Sequence, residues 1–170
     1  MDGMDFDTYT KIFESTVIPI LEYGSGVWGI KRYDSLERLQ YRAVRTFLGV
    51  SLTTPIPAIM GEMGWYPIHL RTQKNIVRLF CRLTNLSDTR ICRQVFLWDQ
   101  STSARYRDTW FNHAKRLLDS CGLTDISDLD DNVSTSYVID TVEKHLMDEY
   151  SQSWLESIQQ VSELRTYKLF

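Results

Sequence analysis

Two sets of cationic side chains recur at helical spacing: Arg38, Arg42 and Arg45, then Arg71, Lys74, Arg78 and Arg82. At about 100° per residue each set falls along one side of a helix, the first three within roughly 60° of one another. A guanidinium offers a planar fork of donors to phosphate, and cations on successive helical turns meet successive phosphates. The seven residues are therefore candidate contacts to a nucleic-acid backbone, with nearby aromatics available to stack bases. The competing reading is an ordinary solvated helix face, on which arginine at this spacing is common.

Other chemistries find no complete residue set. Neither a GxSxG elbow nor a recognised cysteine-nucleophile signature occurs. His69, His113 and His145 stand far apart without an HxxxH pair, and Cys81, Cys92 and Cys121 form no CxxC, so zinc ligand spacing is absent. The cysteines read as free, largely core thiols, and His69 as a core residue on the apolar side of its helix. Gly24, Ser25 and Gly26 invite a phosphate-loop reading but lack GxxxxGK[ST], which leaves a turn. The acidic run from Asp125 to Asp131 lacks the glycine at the sixth and the glutamate at the twelfth position of a calcium loop. The tight acidic clusters lie away from the basic helices, so no two-metal polymerase or nuclease site is legible. The expectation is no catalytic residue, no cofactor and no metal site.

Charge is segregated along the 170 residues. The net charge is −3, yet residues 31–120 hold 15 Lys or Arg against 7 Asp or Glu, a balance of +8, between flanks of −4 (residues 1–30) and −7 (residues 121–170). The middle of the chain suits a polyanion although the whole is acidic. The acidic N-terminus, MDGMDFDTYT, lacks the basic and apolar regions of a secretion signal, and the apolar stretch from Ile12 to Ile30 is broken by Glu14, Pro19 and Glu22. The expectation is an intracellular protein, cytoplasmic or nuclear, without a membrane span.

Helical periodicity organises the rest. A first helix is predicted over Phe6–Tyr23, capped by Asp5 or Asp7 and kinked or restarted at Pro19. Leu36, Leu39, Ala43 and Phe47 predict the inner face of a helix over Tyr33–Leu48, started by Asp34 or Ser35 and stopped by Gly49. Further helices are predicted over Ala58–Met63, over Pro67–Leu86 with Ile76, Phe80 and Leu83 inward, and through Ile91, Val95 and Phe96 to Trp98 after a start at Ser87 and Asp88. A loop follows at Gln100–Ser103. A helix over Ala104–Cys121 should bury Tyr106, Trp110, Ala114, Leu117 and Leu118. A long helix over Ser136–Gln160 should carry Val138, Val142, Leu146, Tyr150, Trp154 and Ile158 inward. No alternating strand pattern of length appears, although Arg165 to Phe170 could pair with a partner strand.

Four motifs in order add a resemblance: PILEYGSGVWG at Pro19–Gly29, LERLQYRAVRTFLGV at Leu36–Val50, GWYPIHLR at Gly64–Arg71, and the tail ELRTYKLF. Together they resemble the region directly after the reverse-transcriptase palm in LINE-type, non-LTR retrotransposon polyproteins: the helical thumb and the segment downstream. The resemblance implies that the basic helices hold a template and primer duplex by its backbone, with RNA or an RNA–DNA hybrid as partner and upstream reverse-transcriptase domains in a full-length polyprotein. The [FY]xDD palm motif, an endonuclease domain and a cysteine-histidine knuckle are absent from this chain, so the resemblance implies a non-catalytic part.

The sequence therefore predicts an all-α bundle of six to seven helices, in one body or two small lobes. Residues 1–122 read as a thumb-like basic bundle, 123–135 as an acidic linker, and 136–170 as a long C-terminal helix and tail. The expected function is backbone binding of nucleic acid. The rival is a helical protein-interaction or self-association module, a homo-oligomer included, that does not bind nucleic acid and would show an exposed apolar patch.

Overall fold

The structure, a computed structural model, describes residues 4–123 and 134–160. The fold is all-α, with no strand among the described residues. Its helices are α1 (Phe6–Ile12), α2 (Ile18–Leu21), α3 (Ser25–Trp28), α4 (Asp34–Leu48), α5 (Ile56–Met63), α6 (Ile68–Thr84), α7 (Ile91–Thr102), α8 (Trp110–Ser120) and α9 (Thr135–Gln160). Two compact units form, and they do not follow chain order. One takes the described residues of Met1–Tyr23, Tyr33–Ile68 and Glu149–Phe170, the other Gly24–Arg32 and His69–Asp148. The acidic segment read as a linker lies, for residues 124–133, outside the described residues, as does the ELRTYKLF tail.

In the first unit, Asp5 caps α1 by accepting from the Thr8 amide at 2.9 Å. Between α1 and α2 the chain makes one π-helical turn, Phe13–Val17, closed by the Ile18 amide donating to the Phe13 carbonyl. Pro19 sits in the first turn of α2, where its missing N–H breaks no ladder. The helix predicted over Phe6–Tyr23 does restart next to Pro19, after the π turn, and it ends at Leu21. Trp65 stacks on Phe13 at 4.6 Å and faces Tyr9 at 6.3 Å, while Tyr9 stacks on Phe47 at 4.5 Å.

Helix α4 buries Glu37, Gln40, Tyr41 and Val44 instead of the predicted stripe. Leu36, Ala43 and Phe47 are half-buried and Leu39 is exposed. The reason is that α4 serves two clusters. Leu36 and Ala43 meet Phe13, Ile18 and Ile68 on one flank, and Val44 and Phe47 meet Ile59, Met60 and Met63 on the other. The line of closest packing falls between the flanks, where Gln40 donates to the Tyr66 carbonyl at 2.9 Å. The helix starts after Tyr33, without a side-chain cap, and ends at Gly49, whose φ of 65° is the left-handed conformation that glycine adopts without strain. Trp154 of α9 donates to the Pro57 carbonyl at 2.8 Å, and its ring lies so close to Gly61 that an added Cβ would come within 2.7 Å of Cζ2.

The second unit is built on α6. Ile76, Val77, Phe80 and Cys81 form its buried face, packed with Phe96 of α7, with Phe111, Ala114, Leu117 and Leu118 of α8, and with Val138, Val142 and Leu146 of α9. Full burial of side chains such as Ile76 and Phe80 contributes about 1.5–3 kcal/mol each. All three cysteines are free; Cys81 lies in this core, where burial raises its thiol pKa, whereas Cys121 is half-buried and Cys92 is exposed, so one of the three is a core thiol. Helix α7 continues through the predicted loop to Thr102. Helix α8 starts at Trp110, not Ala104, because two acceptors terminate it there. Thr109 accepts from the Asn112 amide at 3.1 Å and Asp99 from the Phe111 amide at 2.7 Å. Asn112 then ties the preceding loop by donating to the Ser103 and Tyr106 carbonyls, and Tyr106 is exposed where burial was expected.

The Gly-Ser-Gly run serves packing. A Cβ on Gly26 would meet the Asn75 carbonyl at 2.9 Å and Leu79 Cβ at 3.0 Å, so only glycine lets α3 lie this close to α6. Asn75 donates to the Ser25 hydroxyl at 2.9 Å and Trp110 to the Gly26 carbonyl at 2.8 Å. Because a backbone oxygen cannot move aside cheaply, Gly26→Ala should destabilise the protein by roughly 1–3 kcal/mol. That corresponds to a fall in Tm of roughly 2–10 °C, to be read by thermal unfolding followed by circular dichroism.

Candidate nucleic-acid interface

The seven predicted cations divide between the two units and meet different fates. Arg38 and Arg42 leave the side of α4 away from its packed face. Arg38 and Arg42 are exposed, and neither guanidinium makes a hydrogen bond or ion pair among the described residues. Their four-residue spacing sets them about 6 Å apart along the axis. Arg45 lies nearer the packed side and turns inward, donating from Nη2 to the Thr54 carbonyl at 3.0 Å. It holds the loop between α4 and α5, and its Nε is buried with no hydrogen-bond partner among the described residues.

On α6 the division repeats. Arg78 and Arg82, one turn apart, are exposed, and Arg78 is steadied by donating to Asn75 Oδ1 at 3.1 Å. Lys74 pairs with Glu143 of α9, and both are partly withdrawn from solvent. Arg71 is half-buried. Helical spacing had placed Lys74 and Arg71 on the exposed stripe, but Glu143 of α9 supplies a carboxylate to Lys74, and Arg71 is partly covered. Four of the seven, Arg38, Arg42, Arg78 and Arg82, remain as solvent-facing cations, two on each unit. A polyanion could engage either pair through phosphate oxygens without reading bases.

The histidines are scattered. His69, His113 and His145 are each half-buried. Burial, with the nearby Arg116 charge second, holds the His113 pKa below the usual imidazole range. Among the described residues no three His, Cys, Asp or Glu stand together in a metal-binding group. No helix among them is long and apolar enough to cross a membrane.

One surface escaped the sequence reading. The sequence marked a helix through Ile91, Val95 and Phe96 to Trp98 without dividing its faces; Phe96 alone of these is buried, while Ile91, Val95 and Trp98 face solvent. The signal was available: spacings of four and three put Ile91, Val95 and Trp98 on one side, and Phe96 lies about 100° from Val95.

Compared with known protein families, with curated proteins and with solved structures, the chain matches none of them.

The two fates of arginine on α4 separate by measurement. Arg45→Ala should destabilise the protein by about 1–2 kcal/mol through loss of a charge-assisted hydrogen bond. Arg42→Glu, on the exposed face, should stay within about 0.5 kcal/mol of the parent in urea unfolding.

Proposed function

We propose that this chain is a non-catalytic nucleic-acid-binding module of the kind that follows the palm in a non-LTR reverse transcriptase, gripping RNA or an RNA–DNA hybrid by its phosphates. The observation that carries the reading is the pair of solvent-facing arginines one turn apart on each of two helices, Arg38 with Arg42 and Arg78 with Arg82. Both pairs lie in the one segment of the sequence with a positive balance. Guanidinium keeps its charge at every physiological pH and matches phosphate in two-point contacts, which makes arginine more effective here than lysine. Such binding is electrostatic and weak in sequence preference.

A second reading, a helical interaction module without nucleic-acid affinity, is favoured by the exposed apolar side of α7. Fluorescence anisotropy with a labelled RNA–DNA hybrid, single-stranded RNA and duplex DNA decides between them. If about four arginines each displace one counterion, the slope of log K on log salt for duplex is near −3.6, and affinity falls roughly 100-fold from 50 to 200 mM salt. The Arg42→Glu, Arg78→Glu double variant should remain folded and lose binding. Absence of binding by the parent chain at 50 mM salt would reject the nucleic-acid reading and leave the interaction module.

A further inference from the structure

The exposed side of α7 is the least expected surface of the second unit. Ile91, Val95 and Trp98 are 77%, 58% and 66% exposed, and Val27 beside them 65%. They rim a groove of about 500 Å³ floored by Phe96, Leu79 and Trp110. The groove's carboxylate, Asp99, already accepts from the Phe111 amide at the start of α8, so the groove asks for apolar side chains before polar ones. We propose that a second copy of this chain covers this surface, with α7 packing antiparallel on α7 of the partner about a two-fold axis.

Three features support a second copy. The surface carries both parts of an isologous contact, a ridge of Ile91, Val95 and Trp98 and an adjoining groove to receive such a ridge; a two-fold requires both on one patch. The area is also adequate: the four exposed side chains present roughly 550 Å² per copy, or about 1,100 Å² when doubled, near the lower limit for a specific dimer. Charge is complementary in the antiparallel sense. Arg90 occupies the N-cap of α7 with no side-chain capping bond, and no acidic residue follows in the first turn. A cation is unfavourable at its own helix's positive end, but antiparallel pairing places it near the partner's negative C-terminal end. Interfaces at this small end of the range are often weak or transient.

This inference does not depend on nucleic acid and supplies a partner for the second reading above. The test is sedimentation velocity of the full chain without nucleic acid, from about 1 to 200 µM, the range in which micromolar association is visible. A monomer–dimer equilibrium is expected that persists in high salt. Val95→Glu should weaken it at least tenfold with unchanged circular dichroism, because Val95 lies on the surface. Trp98→Ala, which adds no charge, should weaken it in the same direction and guards against misfolding of the first variant. A monomer at every concentration overturns the proposal, as does a dimer indifferent to both variants. A chain that stays monomeric but binds an apolar dye at Val95 and Trp98 also overturns it, leaving the patch to a different partner and the interaction-module reading standing.

Discussion

Burial of Ile76, Val77, Phe80 and Cys81 along one side of α6 decides the placement of nearly everything else in the second unit. Four apolar side chains on one face demand partners, and α7, α8 and α9 supply them from Phe96, Phe111, Ala114, Leu117, Leu118, Val138 and Val142. Once that face is committed, the cations of α6 have limited places to go. Arg78 and Arg82 are carried to solvent, while Lys74, at the edge of the packed face, is met by Glu143. The ion pair follows from the packing and does not cause it. A partly exposed pair contributes little to stability, and its main consequence is to withdraw one cation from the surface.

The same logic explains α4. Its inner face is polar at Glu37 and Gln40, unusual for buried positions. Two clusters on either flank draw the helix into a position that neither alone would choose. Gln40 meets the cost of burial in part by donating to the Tyr66 carbonyl. Arg45 is pulled inward at the edge of this contact, and Arg38 and Arg42, farther around, are left outside. Three arginines of identical chemistry thus divide into a structural tether and two candidate phosphate contacts by a few tens of degrees of helical phase.

Glycine performs a packing task where its sequence context suggested a plain turn. Gly26 allows α3 to approach α6 until backbone and side chain touch, and hydrogen bonds from Asn75 and Trp110 then hold the contact. The approach also places Val27 beside α7, so the exposed apolar surface there draws on α3 as well as α7. Charged and apolar surfaces of this unit therefore share one origin in the α6 core.

Helical class, most helix centres and the stop at Gly49 were legible in the sequence, because periodicity, capping and glycine's left-handed conformation are local properties. The candidate cations were legible as a set, since their spacing alone puts them on common faces. The sequence left open which of them stay free. Arg45 and Lys74 are taken by Thr54 and Glu143, the latter 69 residues away in the chain, and long-range partners leave no periodic trace. The late start of α8 and the buried Glu37 have similar causes: a cap from Asp99 on another helix, and two competing cores. Local chemistry set what each segment could form, and tertiary packing decided which faces were covered, because burial is a property of neighbours that only the fold brings together.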